Sequence, residues 1–349
     1  MSRIYHFLFP ALLMASACSS EKSGNESHLD HNEADSFSGN YLPLTIDMAD
    51  KELEDIIASS AKATVLGSGF SWTEGPLWLE EEKMLVFSEI PANKVHSWKE
   101  GEETRVYLEP AGFTGSASRG GELGSNGLLL DPEGNLVLCQ HGDRRLARML
   151  APLSDPKPEF ETIVGLYESK PFNSPNDAVY DRHGNLYFTD PPYGLEFNMD
   201  DPAKAIPFQG VYRFSHDGSL ELLLDSISRP NGLAFLPGEK ELIVANSDPE
   251  KPYWYIYKLD EEGNLANGRI YQDASQLVQG EPGLPDGLKI RRDGVVFATG
   301  PGGVWVFNPS GKLLGRLKVG ELTSNVALNK NEDVLFVTAD SYVVKIPLR

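Results

Sequence analysis

One short phrase recurs six times in this chain, and it constrains the fold more than any other feature. It consists of a polar residue, an apolar strand, a tight turn rich in Asp, Asn or Gly, and a second strand. The copies begin at Glu74, Asn126, Asn176, Asn231, Asp286 and Asn325. In the second, Asn126-Gly127-Leu128-Leu129-Leu130-Asp131 passes through Gly134-Asn135 into Leu136-Val137-Leu138-Cys139. In the third, Asn176-Asp177-Ala178-Val179-Tyr180-Asp181 passes through Gly184-Asn185 into Leu186-Tyr187-Phe188-Thr189-Asp190. Short apolar runs bounded by such residues read as strands and hairpin turns. Propeller blades of four strands need about 40–45 residues, and the spacing of the copies suits that unit with loop insertions. Helical solenoids are excluded because the units lack amphipathic helices, and a β-sandwich would not repeat one phrase six times. The prediction is an all-β chain forming one six-bladed β-propeller, not two domains. Closing the ring removes exposed sheet edges. The expected partners are Thr64-Val65-Leu66 near one end and Val343-Val344-Lys345-Ile346 near the other.

The phase of the repeat carries the chemistry. If each lead residue starts the innermost strand of its blade, the six side chains converge at one end of the axis. Asn and Asp before Gly also make ordinary turns. That reading weakens when the residue type returns at the same phase six times, and when the first copy uses Glu74, a poor turn former. The converging set offers carboxylate and amide oxygens and no histidine or thiol. Hard oxygen donors select a hard divalent cation, calcium best, with magnesium, manganese or zinc as alternatives.

Several segments together resemble the gluconolactonase/regucalcin (senescence marker protein) family, in particular its bacterial gluconolactonase branch. They are Glu74-Gly75-Pro76-Leu77-Trp78, Asn173-Ser174-Pro175-Asn176-Asp177, the run Phe188-Thr189-Asp190-Pro191-Pro192-Tyr193-Gly194-Leu195, Arg229-Pro230-Asn231-Gly232-Leu233, and Pro285-Asp286-Gly287-Leu288 with Gly300 to Phe307. The resemblance runs in order from about residue 64 to the end. It implies a six-bladed propeller with a central divalent metal site held by Glu74, Asn231 and Asp286, and by Asn176 directly, through water or through substrate. The implied reaction is metal-assisted opening of a sugar lactone, with the cation as Lewis acid and Asp286 as the base that activates water. Asn126, Asn176, His141 and Tyr193 are the expected substrate-binding residues. The animal branch carries an arginine two residues before the third-blade asparagine. Here that position is Ser174, so its substrate does not transfer. Phosphotriester hydrolysis at the same site, and non-catalytic binding of a sugar or a partner, are the alternatives.

Other residues read as structural. Cys139 lies in an apolar run and is expected in the core, Arg144 and Arg145 as surface or ion-paired residues, and Asp190 as a loop-supporting group. Asp47 to Ser60 shows helical spacing and is expected to form one short helix.

The N-terminus predicts export. Phe7 to Ala15 is apolar but too short to span a bilayer, and Ala15-Ser16-Ala17-Cys18 resembles a lipobox. The expectation is a lipoprotein signal peptide over 1–17, a lipidated polar tether over 18–45 and the propeller over 46–349. Cys18 would anchor the protein in the cell envelope, periplasmic or at the outer membrane, where a membrane-side sugar dehydrogenase would supply a lactone. With Cys18 lipidated, Cys139 has no disulfide partner. A formal charge of −20 argues against nucleic acid, and a monomer is expected.

Overall fold

The computed structural model describes residues 40–116 and 120–349. Six antiparallel sheets form blades around one axis. Their inner strands are Thr73–Leu79, Ser125–Leu130, Ala178–Tyr180, Pro230–Phe235, Leu288–Ile290 and Thr323–Leu328, which define blades 1 to 6. Each inner strand contacts those of the blades on either side, and the sixth contacts the first, so the ring is closed. The fold is the expected six-bladed β-propeller.

Blade 6 makes the closure. Its strands Val334–Ala339 and Tyr342–Pro347 come from the C-terminal end, and Ala63–Ser68 comes from the other end of the described chain. Val344 faces Val65 and Lys345 faces Thr64 across the joint, the pairing expected from the sequence.

The leading segment departs from expectation. Tyr41–Leu42 already pairs with blade 6, ahead of the boundary expected at residue 46. Thr45–Met48 adds a fifth strand to blade 5, with Ile46 opposite Leu317. The helix expected over Asp47 to Ser60 shrinks to a single 3-10 stretch, Lys51–Asp55, capped by the Asp50 carboxylate accepting from Glu52 N at 3.0 Å. Strand pairing takes the first residues of that segment. One turn is then enough to bury Leu53, Ile56 and Ile57 against Leu314 and Leu317. The signal peptide expected over 1–17 and Cys18 lie outside the described residues.

Apolar side chains fill the spaces between blades. Phe297, Val306 and Leu317 of blade 5 meet Val326, Val337 and Val344 of blade 6, all fully buried. Full burial of such a side chain contributes about 1.5–3 kcal/mol.

Each seam is also stitched near the axis, at the level of the lead residues. Ser88 Oγ donates to Asn126 O at 2.8 Å, Thr189 Oγ1 to Asn231 O at 2.8 Å and Ser247 Oγ to Pro285 O. Thr299 Oγ1 donates to Ser324 O at 2.8 Å, and Ser324 Oγ to Thr73 O at 2.7 Å. Between blades 2 and 3 the stitch is Gly127 N to Asn176 O, 2.8 Å. These bonds satisfy buried backbone carbonyls and fix the backbone that carries the lead side chains.

The glycine after a lead residue answers to packing. A Cβ on Gly75 would stand 2.0 Å from Asn126 O, and one on Gly232 would stand 2.4 Å from Asp286 O. Neighbouring inner strands therefore approach backbone to backbone, which explains the recurring Gly without invoking a turn.

Candidate functional site

The lead residues do meet. Glu74, Asn126, Asn176, Asn231 and Asp286 line one cup of about 460 Å³ at the axial end where the inner strands begin. Asn325 joins them through Glu74, its Nδ2 donating to Glu74 Oε2 at 3.2 Å. Register shifts beside Glu74, Ser125 and Pro230 show why these side chains turn inward. A bulge re-aims a residue that regular alternation would point elsewhere.

Orientation is fixed residue by residue. Glu74 Oε2 is held by Gly75 N at 3.0 Å and by Asn325, leaving Oε1 for the cup. Asn231 Nδ2 donates to Ser247 Oγ at 2.9 Å, which leaves its carbonyl oxygen out of that contact, and Asn231 lies close enough to Asp286 to favour its ionised form. Asn176 Oδ1 and Asp286 Oδ1 are buried with no partner. Tyr193 lines the cup, and its hydroxyl is likewise buried without an acceptor.

The electrostatics follow from crowding acids in a closed place. Burial, relieved in part by the Gly75 and Asn325 hydrogen bonds, pushes the Glu74 carboxyl up to about 8. Burial first, then the neighbouring Glu74 and Glu122, pushes Asp286 well above the usual carboxylate range. Two such groups and two orphaned oxygens describe a site short of positive charge. Among the described residues no three Asp, Glu, His or Cys side chains converge at ligand spacing. A cation here therefore needs the amide oxygens of Asn176 and Asn231 beside Glu74 and Asp286. All four donors are oxygen and the two acids match a divalent charge, so the set fits a hard cation.

His141 does not reach the cup surface. It is fully buried, its Nδ1 is 3.2 Å from Glu122 Oε2, and it is Glu122 that lines the cup. Asp190 supports the Asn176 segment, accepting from Asn173 N and Ser174 N at 2.8 Å each, and burial raises its carboxyl to about 7. Arg144 donates to the carbonyls of Phe172 and Asn173 on the same segment, and Arg145 pairs with Asp143 at 2.9 Å. Cys139 is fully buried and burial pushes its thiol up, as a core cysteine should be.

Sequence reasoning missed Glu122 and Arg229, both lining the cup. Arg229 lies in the bend just ahead of the Pro230–Phe235 strand, beside a register shift, where strand alternation does not mark it. Glu122 sits in the loop between blades 1 and 2, where no repeat marks it. A larger groove, 770 Å³ between blades 3 and 4, contains none of the lead residues and is walled by turn residues such as Asp181, Glu239 and Asp260.

The structure is a six-bladed propeller with acid and amide side chains lining a cup at one end of its axis. Residues 72–341 match the family described as the SMP-30/Gluconolactonase/LRE-like region, and the chain belongs to that family. It is 35% identical over 301 residues to a gluconolactonase of Zymomonas mobilis, covering 84% of this chain and 83% of that one. A gluconolactonase structure from Xanthomonas campestris superposes with a TM-score of 0.76 at 28% identity, covering 89% and 97% of the two chains. The calcium-binding regucalcin of Agrobacterium tumefaciens, at 16% identity and a TM-score of 0.61 over 81% and 93%, shares the fold.

Proposed function

We propose that this protein is a cation-dependent lactonase that opens sugar lactones of the aldonolactone class. The observation that carries the reading is the cup itself, which Glu74, Asn176, Asn231 and Asp286 all line, with Asn176 Oδ1 and Asp286 Oδ1 buried and unpartnered. These four residues would hold the ion, calcium best. The ion when bound supplies Lewis acidity toward the lactone carbonyl.

The chain's own groups do the rest. Asp286 Oδ1, without a hydrogen-bond partner, accepts a proton from the attacking water. The neighbouring Asn231 favours its ionised form. The Tyr193 hydroxyl, also unpartnered, donates to a substrate oxygen, and its ring covers that side of the cup. Asn126 Nδ2 is the matching donor from blade 2. Cup walls from Trp72, Leu284 and Leu322 exclude bulk water and offer apolar faces to the sugar carbons.

A panel of substrates tests this. Calcium-loaded protein is expected to hydrolyse glucono-1,5-lactone above its spontaneous rate and to leave a phosphotriester essentially untouched. A phosphotriester turned over faster than every lactone would reassign the site, and inertness toward both would leave a binding protein.

Export and lipidation at Cys18 are part of the same proposal, because a tethered lactonase meets lactones made outside the cytoplasm. Incorporation of a labelled fatty acid into the full chain, lost in Cys18→Ala, is the expected result. Equal labelling of both chains would remove the anchor from the account.

A further inference from the structure

Glu122 and His141 form a pair that the lactonase reading above does not use. Their placement is built from both sides. Gly124 N donates to Ile90 O at 2.8 Å, and His141 N donates to Gly124 O at 3.1 Å, tying the Glu122 loop to the end of the Leu136–Gln140 strand. Gly121, at φ +84°, lies against the backbone of Leu195 and Glu196. A Cβ on Gly194 would stand 2.6 Å from His141 Cβ and 2.7 Å from Ser174 Cβ, so the loop carrying Tyr193 closes directly over the imidazole.

The result is an imidazole with no solvent exposure and no well-formed hydrogen bond at either nitrogen. Glu122 Oε2 stands 3.2 Å from Nδ1, and the Glu122 side chain is about one-third exposed, into the cup. A histidine buried this completely is a costly way to fill space. Its Nδ1 stands behind a carboxyl group that itself reaches the cup, which gives Glu122 a proton-exchanging partner on its buried side.

We propose that Glu122 and His141 protonate the ring oxygen of the lactone as its bond to the acyl carbon breaks, Glu122 touching substrate and His141 acting through it. The proposal rests on the lactonase reading and completes its proton balance. Water forms a bond to the carbonyl carbon and gives one proton to Asp286. The acyl carbon–oxygen bond then breaks, and the leaving alkoxide takes the proton from Glu122. Asp286 returns its proton to the Glu122–His141 pair through solvent in the cup, and the product leaves as a hydroxycarboxylate with one proton released. Asp286 serves the entering oxygen and Glu122 the departing one. This division suits two carboxyl groups in one cup, only one of them in the proposed cation-holding set.

Leaving-group chemistry tests the assignment with the full-length, calcium-loaded protein. An alkyl lactone expels a strongly basic alkoxide that needs a proton. An aryl-fused lactone expels a phenolate that scarcely does. Glu122→Gln keeps the shape and is expected to lower kcat about 10²-fold on the alkyl lactone and no more than a few-fold on the aryl-fused one, both at saturating calcium. His141→Gln is expected to show the same selectivity at about 10-fold, and if it does not fold, Glu122→Gln decides alone. Equal losses on both lactones at saturating calcium would overturn the assignment while leaving the lactonase reading intact. A wild-type protein inert toward both lactones would instead defeat the lactonase reading itself.

Discussion

Asp286→Asn is expected to lower kcat/KM for an aldonolactone by about 10³-fold, within the range for a lost general base, and to make the metal-free protein more stable. The two effects share a cause. Asp286 sits where burial and the charges of Glu74 and Glu122 all oppose its ionisation. An amide of the same shape keeps the contact with Asn231, removes the repulsion with Glu74, and cannot accept the proton of the attacking water. Turnover at saturating calcium, set beside melting of the chelated protein, checks both halves. Unimpaired turnover in a calcium-saturated, folded Asp286→Asn protein would remove Asp286 from the chemistry.

Removing the cation is the second large change. Chelation is expected to return lactone hydrolysis to the spontaneous rate and to make stability depend on pH in a definite direction. The folded-state pKa of Glu74 is raised to about 8 from an ordinary value of 4.5. The metal-free folded state therefore binds this proton more tightly than the unfolded chain does. That contribution is fully present below the ordinary value and is lost as pH rises through about 8. Melting of the chelated protein should fall steadily from about pH 5 to pH 9. Calcium at a hundredfold excess over its Kd adds about 2.7 kcal/mol, and its effect should grow with pH as it replaces the proton. A chelated protein whose melting rises with pH over that range would show that Glu74 is ionised without a cation.

The repeat phrase made the architecture legible. Five of the six lead residues line one cup and Asn325 stands behind Glu74, because a propeller translates position within a blade into position on the axis. Blade closure was legible for the same reason, since a ring needs its two ends to pair. What the sequence hid was burial and tertiary competition. His141 looked like a group at the channel mouth, yet the Tyr193-Gly194 loop covers it completely. Glu122 escaped notice because it belongs to an inter-blade loop, outside the repeat. The spacing of Met48, Leu53, Ile56 and Ile57 suggested a helix. The edge of blade 5 claimed Thr45–Met48 for backbone pairing instead, which a local pattern cannot reveal.

Closure through blade 6 also sets a schedule. The strand Ala63–Ser68 is made long before Tyr342–Pro347, with which it must pair. Until that partner has been synthesised, the nascent chain carries one unsatisfied edge and an open ring.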